Sequence, residues 1–150
     1  MTSFQGMFYG CSSLQSVPAL NTANGTNFSS MFSRCYSLQS VPALNTANGT
    51  NFSGMFYGCS SLQSVPALNT ANGTGFSSMF QNCYSLQSIG CTNIAADISV
   101  ANCSLSGPAL DAIYANLATG SKTITVTGNY GTASDTPSIA TAKGWTVVGS

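Results

Sequence analysis

Four cysteines, Cys11, Cys35, Cys59 and Cys83, stand 24 residues apart, and Cys91 and Cys103 follow out of that register. A thiol can close a disulfide, ligate zinc or act as a nucleophile, and the spacing bears on all three. Residues that recur at a fixed interval stack at one position of successive coils, about 4.8 Å apart where the coils pair as strands do. Side chains stacked in parallel do not turn their Cβ atoms toward one another, as a disulfide requires. Sulfurs strung along a line do not converge tetrahedrally on zinc. A thiol or hydroxyl nucleophile needs a base, and the chain has no histidine. The four cysteines therefore read as a buried, reduced structural ladder. Cys83, Cys91 and Cys103 are the one other combination that folding could bring together, and packing is the simpler account of them.

The carboxylates offer little more. Asp97, Asp111 and Asp135 lie in three different segments, so no acid and base pair is written in the spacing, although Asp111 or Asp135 is where a hydrolase would have to find one. The expectation is a protein that is not an enzyme and uses no metal and no cofactor.

With Arg34, Lys122 and Lys143 the only cations, the chain is 4% charged and formally neutral, against about a quarter charged in ordinary soluble domains. Three scattered cations cannot displace counterions along a phosphate backbone, so nucleic acid is excluded as a partner. No apolar run approaches the roughly 20 residues of a membrane span. The start Met-Thr-Ser-Phe-Gln-Gly lacks the basic and apolar regions of a signal peptide, so the expectation is an export signal outside this stretch or exit from the cell by another route.

The elements that must carry these residues come from the repeat. It reads M-F-x-x-C-x-S-L-Q-S-V-P-A-L-N-T-A-N-G-T-x-F-x-x, with units starting at Met7, Met31, Met55 and Met79; Thr2 to Gly6 match the end of a unit, so the sequence opens in mid-repeat. Phe52, Met55, Phe56 and Cys59 fall at i, i+3, i+4 and i+7, which predicts a short helix capped by Thr50 and ended by Gly58. Leu62 to Val65, before Pro66, is predicted as a short strand, and Asn69 to Gly73 as a turn. No coil this small can bury its own Phe, Met, Cys, Leu and Val, so each must stack on the next. The predicted fold class is α/β: a leucine-rich-repeat solenoid of strand, turn and short helix over residues 1–90.

Residues 91–150 are predicted as a divergent leucine-rich-repeat-like cap. Ile98 to Val100 and Ile124 to Val126 read as strands. Cys103 and Asn129 fall where the leucine-rich pattern puts its Asn or Cys. Leu110, Ile113, Tyr114 and Leu117 form a helical face behind Ser106 as cap and Pro108 in the first turn, and Thr136 and Pro137 open a second helix that stops at Gly144.

The run M-F-x-x-C-x-S-L-Q-S-V-P-x-L-N-T, with F-x-x-M-F joining the units, resembles the BspA-like leucine-rich repeats over Phe4 to Ile89. These are bacterial surface proteins, also carried on bacteriophage tail fibres, and the segments from Leu105-Ser106 through Lys122 to Trp145 are similar to sequences that follow such repeats in phage proteins. The resemblance implies adhesion or host recognition at a virion tail or cell surface, with a bacterial surface glycan or protein as partner. It also implies other virion or surface subunits as neighbours.

The copies differ at few positions, and most of these flank the cysteine: Tyr9 and Ser12; Ser33, Arg34 and Tyr36; Tyr57 and Ser60; Gln81, Asn82 and Tyr84. Stacked, they form one stripe at the corner between predicted helix and strand, in the residue types that adaptable binding surfaces use. Two accounts fit it: a binding stripe, or exposed positions free to drift. Gln15, Gln39, Gln63 and Gln87 form a second candidate ladder on the strand face, where stacked amides also stabilise strands without any ligand. Self-assembly is the alternative function, as a filament or virion subunit pairing with another copy through an open coil edge. The six Asn-x-Ser/Thr sequons, at Asn24, Asn27, Asn48, Asn51, Asn72 and Asn102, read mainly as turn residues copied by the repeat.

Overall fold

The computed structural model describes residues 1–150. The chain is α/β, with five short strands and two short α-helices, and neither of its sheets closes into a barrel. Successive 24-residue units lie side by side in parallel register. Bridges join Ser3 to Asn27, Asn27 to Asn51 and Asn51 to Gly75. Strand β1 (Ser64–Asn69) pairs in parallel with β2 (Ser88–Thr92). The strand expected over 62–65 thus starts later and runs through Pro66, and the register slips between Val65 and Leu68 to pass the residue that has no N–H to donate. Gly90 stands where earlier units have proline, because a Cβ there would come within 2.7 Å of the Pro66 carbonyl carbon.

The helix predicted through Phe52 and Cys59 does not form. In its place is a run of turns in which alternate amides bond locally and across to the next unit. Met55 N donates to Phe52 O (3.0 Å), Tyr57 N to Gly54 O (3.0 Å) and Cys59 N to Phe56 O (3.0 Å), while Phe56 N donates to Met79 O (3.0 Å) and Gly58 N to Gln81 O (2.8 Å). The backbone must switch hand to do this: Gly54 has φ 62°, and its equivalents Ser30 and Ser78 have 53° and 55°. Thr50, expected as a helix cap, donates its hydroxyl to Thr26 O in the preceding unit (3.1 Å).

The interior is one hydrophobic cluster from Phe4 to Trp145. Two columns of phenylalanine run through it, Phe4-Phe28-Phe52-Phe76 and Phe8-Phe32-Phe56-Phe80, with neighbouring rings 5.4 to 5.9 Å apart and within 9° of parallel. The glycine of each Asn-Gly turn makes room for this column. A Cβ at Gly73 would sit 2.4 Å from the Phe76 ring, and Gly25 and Gly49 face Phe28 and Phe52 likewise.

Strands β3 (Ile98–Ser99), β4 (Thr123–Thr125) and β5 (Thr146–Val148) form a second parallel sheet, in that order. Helix α1 (Gly107–Ala115) begins as predicted: Ser106 accepts from Ala109 N (3.3 Å), and Leu110, Ile113 and Tyr114 are buried. Its C-terminal carbonyls are held by Lys143, whose Nζ donates to Tyr114, Ala115 and Leu117 oxygens at 3.2, 2.6 and 2.8 Å. Helix α2 (Ser138–Thr141) is a single turn. Thr136 does not cap it with its side chain, being tied to Asp111 instead. Asn129 is buried and fully used, accepting from Leu105 N (3.0 Å) and donating to Val100 and Val126 oxygens (both 2.8 Å).

Candidate functional site

The corner stripe is made by a backbone device. In every unit the residue before the cysteine is left-handed: Gly10 at φ 73°, Arg34 at 63°, Gly58 at 74° and Asn82 at 65°. That conformation ends the run of turns, sends the cysteine inward and turns its neighbours toward solvent. Glycine and asparagine suit it, and an arginine there is uncommon.

The structure brings six of the candidate residues together. Arg34, Tyr36, Tyr57, Ser60, Asn82 and Tyr84 line one cleft of about 280 Å3, floored by Gly58. Tyr84 donates its hydroxyl to Asn82 Oδ1 (2.8 Å), and the Tyr36 ring lies over Gly58, where a Cβ would be 3.5 Å from Tyr36 Cε1. Ser60 donates to Tyr36 O (3.3 Å). Arg34 leans away, with its guanidinium carbon 5.6 Å from the centre of the Tyr9 ring.

The other four candidates lie apart. Tyr9 and Ser12 are exposed on the first unit, outside the cleft, and Gln81 lines a separate one beside Ser99 and Asn102. Ser33 is only 4% exposed, so it offers nothing to a ligand. Its variation between copies had placed it in the exposed stripe, but its carbonyl accepts from Gly10 N (2.9 Å) and the residue packs between units.

One signal at this corner was present in the sequence and went unread. Tyrosine stands two residues before the cysteine in the first and third units (Tyr9, Tyr57) and one after it in the second and fourth (Tyr36, Tyr84). The corner therefore repeats every 48 residues, not 24. Ser60 is the small residue where both flanking units carry tyrosine, and the cleft opens there.

The glutamine ladder is exposed throughout, its backbone bonded from unit to unit: Gln39 N to Gln15 O (3.0 Å), Gln63 N to Gln39 O (3.3 Å) and Gln87 N to Gln63 O (2.9 Å). Cys35, Cys59 and Cys83 are buried thiols, each donating to a phenylalanine carbonyl of the preceding unit: Phe8, Phe32 and Phe56, at 3.1, 3.1 and 3.0 Å. Because the covering comes from the unit before, Cys11, the first, is exposed and does not share the ladder's burial. Burial pushes the Cys35 thiol up to about 11 and that of Cys59 to about 12, with neighbouring thiols adding to the rise. Cys83, Cys91 and Cys103 do not converge, and no three His, Cys, Asp or Glu side chains anywhere in the chain could hold a metal ion.

The carboxylates are closer in space than in sequence. Asp135 accepts from the Tyr114 hydroxyl (2.6 Å), and Asp111 accepts from Thr136 N (2.6 Å) and Oγ1 (3.0 Å), so both flank one buried tyrosine. Burial, then Asp135 and Asp111, raise the Tyr114 phenol above its ordinary range. Asp97 stands apart, accepting from Thr123 N (2.8 Å). All three carboxylates tie segments together across 21 to 26 residues of chain.

Parallel 24-residue units on a shared core, with a tyrosine-lined corner that carries a single charge, define a repeat protein. The chain belongs to the family described as "Mycoplasma protein of unknown function, DUF285", which matches residues 1–101. Neither a curated protein nor a solved structure matches it. No helix is long and apolar enough to cross a membrane.

Proposed function

We propose that residues 1–90 form a leucine-rich-repeat solenoid of the BspA-like kind, and that the protein is a non-enzymatic recognition module of a bacterial or virion surface. In this reading it is part of an adhesin or a phage tail fibre and contacts a bacterial surface, glycan in particular. The observation that carries the reading is the cleft at the corner. Its walls are tyrosines, its remaining lining is Ser, Asn and Gly, and its one charged residue turns its guanidinium toward Tyr9. Tyrosine supplies rigid amphipathic contact area, and Ser and Asn supply hydrogen bonds. Such contacts are weakly screened, so binding to intact bacterial cells should change less than about twofold between 50 and 500 mM salt. Absence of binding to any cell surface, or binding that collapses over that range, sinks the proposal.

A second reading is self-assembly through apolar side chains that the first unit leaves uncovered. Met7 is 42% exposed and Phe8 half-buried, whereas Met31 and Phe32 at the same positions are wholly buried. Such side chains, covered by a second copy or an adjoining subunit, would make a filament or virion component. Light scattering separates the two readings: a monodisperse monomer at all concentrations rules out the assembly.

A further inference from the structure

The 48-residue alternation gives the corner cleft a specific shape. Units two and four each carry a tyrosine after the cysteine, and unit three carries Ser60 between them. Adjacent units are spaced as paired strands are, so the backbones that carry Tyr36 and Tyr84 stand about 10 Å apart along the stack, and the unit between them has no aromatic side chain at that position. The gap is not filled from the side. Tyr57 sits on the other flank of the cysteine, and Ser60 turns its hydroxyl down onto Tyr36 O.

Both walls are held before any ligand arrives. Tyr84 is bonded to Asn82, itself fixed in the left-handed conformation, and Tyr36 rests on Gly58. A puckered sugar ring offers C–H faces to the tyrosines and hydroxyls to Asn82, Ser60 and Tyr57, all of which line the cleft. At about 280 Å3 the cleft lies just below the usual range of small-molecule sites, room for a ring or two and not a longer segment. With no carboxylate in its lining and the one guanidinium turned to Tyr9, nothing in it selects a charged ligand.

We infer that the Tyr36–Tyr84 slot over Gly58 and Ser60 is a subsite for a single neutral pyranose ring of a surface glycan, with Ser60 the residue that holds it open. This rests on the surface-recognition reading and adds the ligand class and the residue that sets it. It predicts that Ser60→Tyr, which gives unit three the residue its neighbours already carry, closes the slot without unfolding the stack.

The test is calorimetric titration of the whole chain with neutral cello-, malto- and chito-oligosaccharides and with a uronate oligomer as charged control. Binding to intact cells is measured in parallel. The expected result is binding of at least one neutral series, weakened tenfold or more by Ser60→Tyr and by Tyr84→Ser, with Ser12→Tyr at the first unit leaving it unchanged. Should Ser60→Tyr fail to fold, Tyr84→Ser alone decides, because it removes a wall and adds no bulk. Unaltered affinity in both variants, an equal loss in Ser12→Tyr, a preference for the uronate or no oligosaccharide binding overturns the slot. Cell binding that persists through such a result leaves the wider reading standing, and its absence from the wild-type chain removes both.

Discussion

Three threonines at one position of the repeat show how far a single residue's environment depends on its neighbour. Thr46 and Thr70 are buried and donate to the Asn69 and Thr92 carbonyls at 2.9 and 2.8 Å. Thr22 is equally buried, and its hydroxyl has no partner. Desolvating a hydroxyl is unfavourable unless the bond is made, and removing one partner of a made bond strands the other. Thr46→Val should therefore cost about 1–2 kcal/mol, whereas Thr22→Val should be neutral or stabilising by up to about 1 kcal/mol. Urea unfolding of the two variants measures this, and equal losses would contradict it. Arg34 is a second such case. Left-handed backbone costs a side-chain-bearing residue about 1–2 kcal/mol, and here the strain sits at the rim of the candidate cleft, where strained residues concentrate.

The elements show which sequence signals carried and which misled. Apolar residues at i, i+3, i+4 and i+7 suggested a helix, but a run of turns with three-residue closures brings the same residues to the same face. What separates the two is the left-handed residue two positions after Phe28, Phe52 and Phe76, and serine at two of those sites gave little notice of it. Helix α1 was legible because Ser106, Pro108 and the buried face all pointed the same way. Gly90 tests the strand region. Repeat logic says that restoring proline there, as at positions 18, 42 and 66, should be harmless. The structure puts the Pro66 backbone under 3 Å from any Cβ at that site. Gly90→Pro should destabilise by about 1–3 kcal/mol or more, as overpacking does, measured by thermal unfolding against wild type; an unchanged or raised midpoint would mean β1 and β2 do not lie this close.

Across the whole molecule, the 24-residue period made the stacking and the shared core legible, since units this small have no other way to bury their side chains. The cleft was missed because matching every copy to one 24-residue pattern hides the 48-residue alternation of the tyrosines that opens it. The same stacking gives the molecule an alkaline limit. Thiols that ionise near 9 in the unfolded chain are held neutral by burial to about 11 at Cys35 and about 12 at Cys59, Cys91 and Cys103. In that window the unfolded chain has released protons that the folded one keeps, so stability is full below about pH 9 and falls as pH rises toward 12. Each thiol adds a slope of up to about 1.4 kcal/mol per pH unit. Urea midpoints at pH 7, 9 and 10.5 should be level and then drop steeply; a flat profile would mean the thiols are reached by solvent. One feature of the coils bears on how such a protein meets force. Amides donate in both directions between units: Phe32 N to Met55 O of the following one, and Thr50 N to Thr26 O of the preceding one. Tension along the stack loads those bonds in series, so the weakest junction parts first and each detached unit pays out roughly 80 Å of slack, which would let an anchored molecule yield stepwise under a pull while the rest of it stays intact.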